Sequence, residues 1–80
     1  MTPETEWHAE LDARGLLCPL PVLKARKRLR DMAPGTVLRL LATDPAAVVD
    51  VPHFCAESGH GFLGQHTVGD DTIAYFIRRA

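Results

Sequence analysis

Cysteine is scarce in this chain: two residues among 80, Cys18 and Cys55. Two thiols without patterned spacing exclude a disulfide framework. A dominant charge is missing too. Nine Lys and Arg against ten Asp and Glu leave a net charge of -1. That balance argues against a protein built mainly to grip nucleic acid, and no direct nucleic-acid partner is expected. Aromatic residues make up only 6% of the chain, and none interleaves the basic run to form a stacking platform for bases. No apolar run reaches membrane-spanning length, so no membrane insertion is expected. Residues 1–6 carry acids and no apolar stretch, so no signal peptide is expected there. The expected compartment is the cytoplasm, where thiols stay reduced and can do chemistry.

What the chain does have is apolar content, 46% of its residues. That is ample for a compact core and excludes a disordered chain. Eighty residues suit one small domain. The expected division is a tail over residues 1–6 and a single domain over 7–80.

Hydrophobic spacing predicts six elements. Over residues 7–13, Ala9, Leu11 and Ala13 alternate with His8, Glu10 and Asp12, the pattern of a half-buried strand. In residues 22–32, Val22, Ala25, Leu29 and Met32 recur at helical spacing, and Ala33-Pro34-Gly35 ends the helix. A second strand is expected over 36–43, with Leu38, Leu40 and Ala42 facing the core. Thr43-Asp44-Pro45 signals a second helix, with Asp44 as its N-cap. Pro52 is expected to break that helix into one turn from Pro45 and a restart capped by Asp50. Ala47, Val48, Val51, Phe54, Cys55 and Ser58 fall on one helical stripe, and Gly59 closes it. Two last strands, 62–68 and 72–78, join through Gly69-Asp70-Asp71 as a hairpin. The predicted fold is therefore α+β, a βαβαββ two-layer sandwich with both helices on one face of a four-stranded mixed sheet.

The chemistry concentrates at Leu16-Leu17-Cys18-Pro19-Leu20-Pro21, where strand hands over to helix. Pro is tolerated in a first helical turn because amides there lack partners. Leu20 precedes Pro21, which disfavours the helical region, so the helix starts either at Pro19 or after Pro21. Either start leaves Cys18 beside a helix N-terminus, where a lowered thiol pKa is expected. With both prolines lacking a donor, the Leu20 amide is the expected local donor to the sulfur. A small buried hydrophobe is the other reading of Cys18, against which the loop and its prolines favour exposure.

No C-x-x-C pair is present, since position 21 is Pro, so a dithiol redox role is disfavoured. A lone activated thiol suits a group carrier, which accepts a group and yields it to another nucleophile. Cys55, on an apolar stripe, reads as core. His53, Cys55, His60 and His66 match no usual zinc spacing, so no metal site is expected. His60, just past Gly59, is read as a cation complementing the helix C-terminus. The basic residues Lys24, Arg26, Lys27, Arg28 and Arg30 read as a solvated face that can steer an acidic protein partner.

The stretch from Leu11 to Pro21, with its D-x-R-G lead and C-P-x-P core, resembles the signature of the TusA/SirA family of small sulfur carriers. Ala42-Thr43-Asp44-Pro45, Asp50-Val51-Pro52, Phe54-Cys55 and Ser58-Gly59-His60 continue the resemblance in order. It implies the same βαβαββ fold. It also implies that Cys18 carries sulfane sulfur as a persulfide, taken from a cysteine desulfurase or other persulfide donor and passed to a downstream acceptor protein. In such a relay Arg14 and Gly15 shape the approach to the cysteine, and Pro19, Leu20 and Pro21 present it. Lys24, Arg26, Lys27, Arg28 and Asp44 are the expected partner contacts. No cofactor is implied. The resemblance points to a persulfide carrier rather than a stand-alone turnover enzyme, and nothing in the sequence demands more than a monomer. Its members serve tRNA 2-thiouridine synthesis, molybdenum cofactor supply or sulfur oxidation. A regulatory interaction module and a thiol oxidoreductase are the alternative functions.

Overall fold

Two strands with almost no polar interruption, Val37-Leu38-Arg39-Leu40-Leu41-Ala42 and Ile73-Ala74-Tyr75-Phe76-Ile77-Arg78, form the middle of a single sheet. The computed structural model describes residues 6–80. In chain order the elements are β1 (Ala9–Ala13), α1 (Leu20–Arg30), β2 (Val37–Ala42), α2 (Ala47–Ser58), β3 (Gly61–Thr67) and β4 (Ile73–Arg78). The sheet order is β1-β2-β4-β3. β1 runs parallel to β2, and β4 runs antiparallel to both β2 and β3. This is the α+β, βαβαββ architecture expected from the spacing. Of the expected tail over 1–6, all but Glu6 lies outside the described residues.

Register sets the core. Leu11 lies opposite Leu40, and Leu40 opposite Tyr75. Leu38, Leu40, Ala42, Tyr75 and Ile77 therefore share one sheet face. Both helices close over it, α1 with Ala25 and Leu29, α2 with Ala47, Val51, Phe54 and Cys55. Leu29, Leu38, Leu40, Val51 and Ile77 are fully buried there. Removing most of such a side chain typically costs about 2–5 kcal/mol.

The opposite sheet face carries a second apolar cluster of Val37, Leu41, Ala74 and Phe76, with Leu63 packed against it. No helix covers it. Arg39 stands on this face, ion-paired to Glu10 and lying 5.5 Å from the Trp7 ring centroid. The His66 ring approaches Phe76 at 5.8 Å. Long polar side chains thus shield apolar ones through their stems and rings.

α2 departs from expectation. It is one continuous helix with Pro52 inside it, and Asp50 lies in its first turn rather than capping a restart. Pro52 costs one hydrogen bond, the one its N–H would give to the Val48 carbonyl four residues back. Val48 is exposed, and burial of Val51, Phe54 and Cys55 on either side of the proline holds the helix in line. Val48 and Ser58 therefore fall off the buried stripe. Nor is Asp44 the N-cap. That position belongs to Ala46, while Asp44 accepts the Ala46 N–H at 3.2 Å and so orders the turn before the helix. Gly59 ends α2 in the left-handed region (φ 79°), where a residue without Cβ is favoured. In the β3–β4 connection the Val68 N–H donates to the Thr72 carbonyl (2.9 Å), closing the loop over Gly69, Asp70 and Asp71.

Candidate functional site

The parallel β1–β2 pair and the helices above it bring the loop after β1 beside the loop after β2. Two bonds tie these loops together. The Gly15 N–H donates to the Thr43 hydroxyl (2.9 Å), and the Cys18 N–H donates to Oδ2 of Asp44 (2.6 Å). Gly15 turns the chain with φ 81°, a conformation costly for any residue with a Cβ. Asp44 thereby serves two loops at once, holding the Cys18 backbone with one oxygen and the Ala46 amide with the other.

α1 begins at Leu20, with Pro19 in the N-cap position and no side-chain cap bond. The Leu20 N–H donates to the Leu17 carbonyl (2.8 Å). It is therefore not the donor to the sulfur that the sequence suggests. Pro21 is buried, while Leu17 and Leu20 flank the cysteine as exposed apolar side chains. Pro21 thus anchors the segment and Cys18 is presented at the surface. The Cys18–Pro19 peptide is cis.

Cys18 opens onto a groove of about 410 Å³ between the two helices. Val22, Leu23 and Arg26 of α1 form one wall, and Asp50, His53, Phe54 and Glu57 of α2 form the other. The Asp50 carboxylate on the facing wall raises the Cys18 pKa above its ordinary value, aided by partial desolvation and by the negative charge of Asp44. The expectation of a lowered pKa is thus reversed. A helix N-terminus stabilises an anion through unpaired amides. Here the nearby amides are spent, Cys18 on Asp44 and Leu20 on Leu17, and the prolines have none. Two carboxylates face the sulfur instead.

The other expected site residues separate into groups. Arg14 does not line the groove. Its Nε and Nη2 grip both carboxylate oxygens of Asp12 (2.9 and 2.8 Å), and the Arg14 N–H adds a third bond (3.0 Å). The Arg14 guanidinium holds the Asp12 carboxyl down to about 2. Gly15 acts through its bond to Thr43. Of the basic residues only Arg26 lines the groove, while Lys24, Lys27 and Arg28 are exposed on the rest of α1. Cys55 is buried in the core, where burial pushes its thiol up to about 11. His60 is not a helix-end cation. Burial and Arg79 lower its pKa, and its Nδ1 accepts the Ala80 N–H (3.0 Å). Among the described residues no group of three or more His, Cys, Asp or Glu is placed to hold a metal ion, and no helix is long and apolar enough to cross a membrane.

Sequence reasoning missed Asp50, Glu57 and Thr43 as neighbours of the cysteine segment. Asp50 and Glu57 carry a findable signal, since they stand seven residues apart on α2 together with His53, on one helical face.

The site is thus an exposed cysteine presented over a groove in a two-layer α+β domain. Comparison with known proteins gives the family. The family profile described as Sulfurtransferase TusA matches residues 9–79. The sulfur carrier protein TusA of Pseudomonas entomophila is 46% identical over 71 residues, 89% of this chain and 88% of that protein. The sulfur carrier protein TusA of Pseudomonas aeruginosa is 44% identical, with 89% of each chain covered. The crystal structure of a SirA-like protein from Desulfitobacterium hafniense superposes with a TM-score of 0.79, covering 89% of this chain and 96% of that one. At 22% identity that likeness speaks for the fold. The chain therefore belongs to the TusA family, a family of small sulfur carriers.

Proposed function

We propose that the protein accepts sulfane sulfur on Cys18 as a persulfide and delivers it to a thiol of a downstream protein. The observation that carries this reading is the exposed Cys18 thiol at the mouth of the interhelical groove, in a chain of this family. In acceptance, Cys18 Sγ bonds to the outer sulfur of a donor persulfide. The donor's S–S bond breaks, its inner sulfur leaves as a thiolate, and the Cys18 proton is released to it through solvent. Sulfur moves at one oxidation level, so no oxidant or cofactor takes part. Delivery is the same exchange with Cys18 as the leaving group.

A cysteine desulfurase is the donor whose chemistry fits, because it presents a persulfide. Leu17, Leu20 and Leu23 are 68%, 45% and 47% exposed. They give an apolar rim on which such a partner can dock around the sulfur. Arg26, at the groove, and Lys24, Lys27 and Arg28, further along α1, steer an acidic approach surface. The transfer belongs to the cytoplasm. Burial of Cys55 argues against a Cys18–Cys55 redox couple, since its sulfur would have to leave the core to react.

Labelled sulfur from cysteine, supplied through a desulfurase, tests this reading. We expect label on the wild-type chain and on Cys55→Ser, and none on a folded Cys18→Ser. Label that survives Cys18→Ser would overturn it.

A further inference from the structure

Residues 79 and 80, which follow β4, lie at the end of the sheet away from Cys18. The Arg79 N–H donates to the Thr36 carbonyl, and the Arg79 carbonyl accepts the Gly35 N–H, both at 2.8 Å. Arg79 Nε donates to the Leu29 carbonyl in the last turn of α1 (3.0 Å). The Ala80 N–H donates to Nδ1 of His60 (3.0 Å), which directly follows the Gly59 cap of α2. This short segment therefore ties together the C-terminal ends of both helices, and its bond at the α2 end runs through a titratable acceptor. The Phe54 ring of α2 packs against the His60 ring, with centroids 5.8 Å apart. An imidazole that accepts at Nδ1 is neutral and carries its proton on Nε2, whereas the protonated ring has two donors and no acceptor. The charge that bears on His60 is Arg79. Arg78, opposite Gly61 in the β3–β4 register, alternates with the core residue Ile77 and so belongs to the helix-free face. Glu57 of α2 lines the groove.

We propose that His60 is a pH-operated clasp: neutral, it fastens residue 80 to the end of α2, and protonated, it lets that residue go. The proposal invokes no sulfur chemistry and stands independently of the carrier reading. Protonation turns Nδ1 from acceptor to donor, so two N–H groups meet where one bond stood. It also places a second cation beside Arg79. Both effects oppose protonation while the clasp is closed. Burial adds to them, and the His60 pKa lies below its ordinary value of 6.5. The folded value is thus below the unfolded one. The closed clasp therefore stabilises the fold fully above about pH 6.5, and this contribution is lost as pH falls through the folded value. The bonds that Arg79 makes to Leu29, Gly35 and Thr36 involve no group that titrates in this range. Opening is accordingly confined to residue 80 and the His60 ring, and β4 stays in the sheet. Phe54, the ring against His60, also lines the groove. The clasp thus lies one side chain from the site.

The test is NMR of the whole chain between about pH 7.5 and about pH 5, a range that spans histidine titration. The imidazole nitrogen shifts of His60 should report the Nε2–H tautomer at the upper end and the doubly protonated ring at the lower. The Ala80 amide is read by its heteronuclear NOE and by its exchange with solvent relative to the free-chain rate. It should be ordered and protected severalfold at the upper pH. Both signs should vanish with the same midpoint as the His60 ring. His60→Asn offers an acceptor oxygen near the place of Nδ1 that does not titrate, so Ala80 should stay held at both pH values. His60→Ala removes the acceptor, so Ala80 should be loose at both. Thermal melts give a second readout: between the two pH values the wild type should lose more melting temperature than His60→Asn. Circular dichroism checks folding, and should His60→Ala not fold, the comparison of wild type with His60→Asn decides alone. An Ala80 amide that stays equally ordered while the His60 ring titrates would overturn the clasp. So would a loosening with pH that persists in His60→Asn, or a neutral ring carrying its proton on Nδ1.

Discussion

Replacing Asp44 by Ala should loosen the protein and quicken its cysteine at the same time. The Asp44 carboxylate accepts from the Cys18 N–H at 2.6 Å and from the Ala46 N–H at 3.2 Å. Hydrogen bonds to a charged group contribute about 1.5–3 kcal/mol where water is excluded. Asp44 is only half-buried, and both amides can recover water, so a combined loss of about 1–2 kcal/mol is expected. For a domain of this size each kcal/mol moves the melting temperature by about 4–8 °C. Losing the carboxylate also removes one of the charges that raise the Cys18 pKa. Alkylation of Cys18 at pH 7 should therefore speed up severalfold. Urea denaturation gives the first quantity and iodoacetamide kinetics, read by peptide mapping, gives the second. The buried Cys55 is an internal control and should stay unlabelled while the protein is folded. A variant of wild-type stability, or one whose Cys18 reacts more slowly, would refute the reasoning.

Two further perturbations follow from the same geometry. Leu29→Ala empties a fully buried position between α1 and the sheet, so urea melts should show a loss of about 3 kcal/mol; a change below about 1 kcal/mol would mean the helix is not packed as described. Asp12, gripped by Arg14, should titrate near its lowered value of about 2 in a carboxyl NMR titration. The folded value lies below the unfolded one of 3.8, so this ion pair favours the fold above about pH 4 and ceases to as pH falls through about 2. In Arg14→Ala the midpoint should return towards 3.8, and a wild-type midpoint already there would exclude the pairing.

The fold was largely legible because each element carries its own period. The alternation at Ala9, Leu11 and Ala13 and the helical recurrence of Ala25 and Leu29 place those residues in the core, where the structure has them. Two features were hidden. The second apolar cluster lies in runs such as Leu40-Leu41-Ala42 that are apolar at every position. Such a run tells of a strand apolar on both faces but not of what shields the second face. A local rule overstates Pro52 as a breaker, since it counts the lost hydrogen bond and not the burial of Val51, Phe54 and Cys55 on either side of it.

The site shows the same division. Cys18 is exposed and Cys55 buried, as their surroundings in the chain suggest. The electrostatics came out reversed because they depend on residues distant in sequence. Asp44 and Asp50 stand 26 and 32 positions from Cys18, and only the β1–β2 pairing and the packing of α2 beside α1 bring them to the sulfur. Reading the helix end alone overlooks that its amides are already bonded. Arg14, adjacent in sequence to the turn, is drawn away by Asp12.

The most direct test of the central claim is the intact mass of the reduced protein after incubation with a cysteine desulfurase and cysteine, taken without reductant. We predict a gain of one sulfur atom, removed by reductant, retained in Cys55→Ser and absent in folded Cys18→Ser. An unchanged mass with that donor and with a thiosulfate sulfurtransferase, or a gain that persists in Cys18→Ser, would contradict the assignment of Cys18 as the carrier.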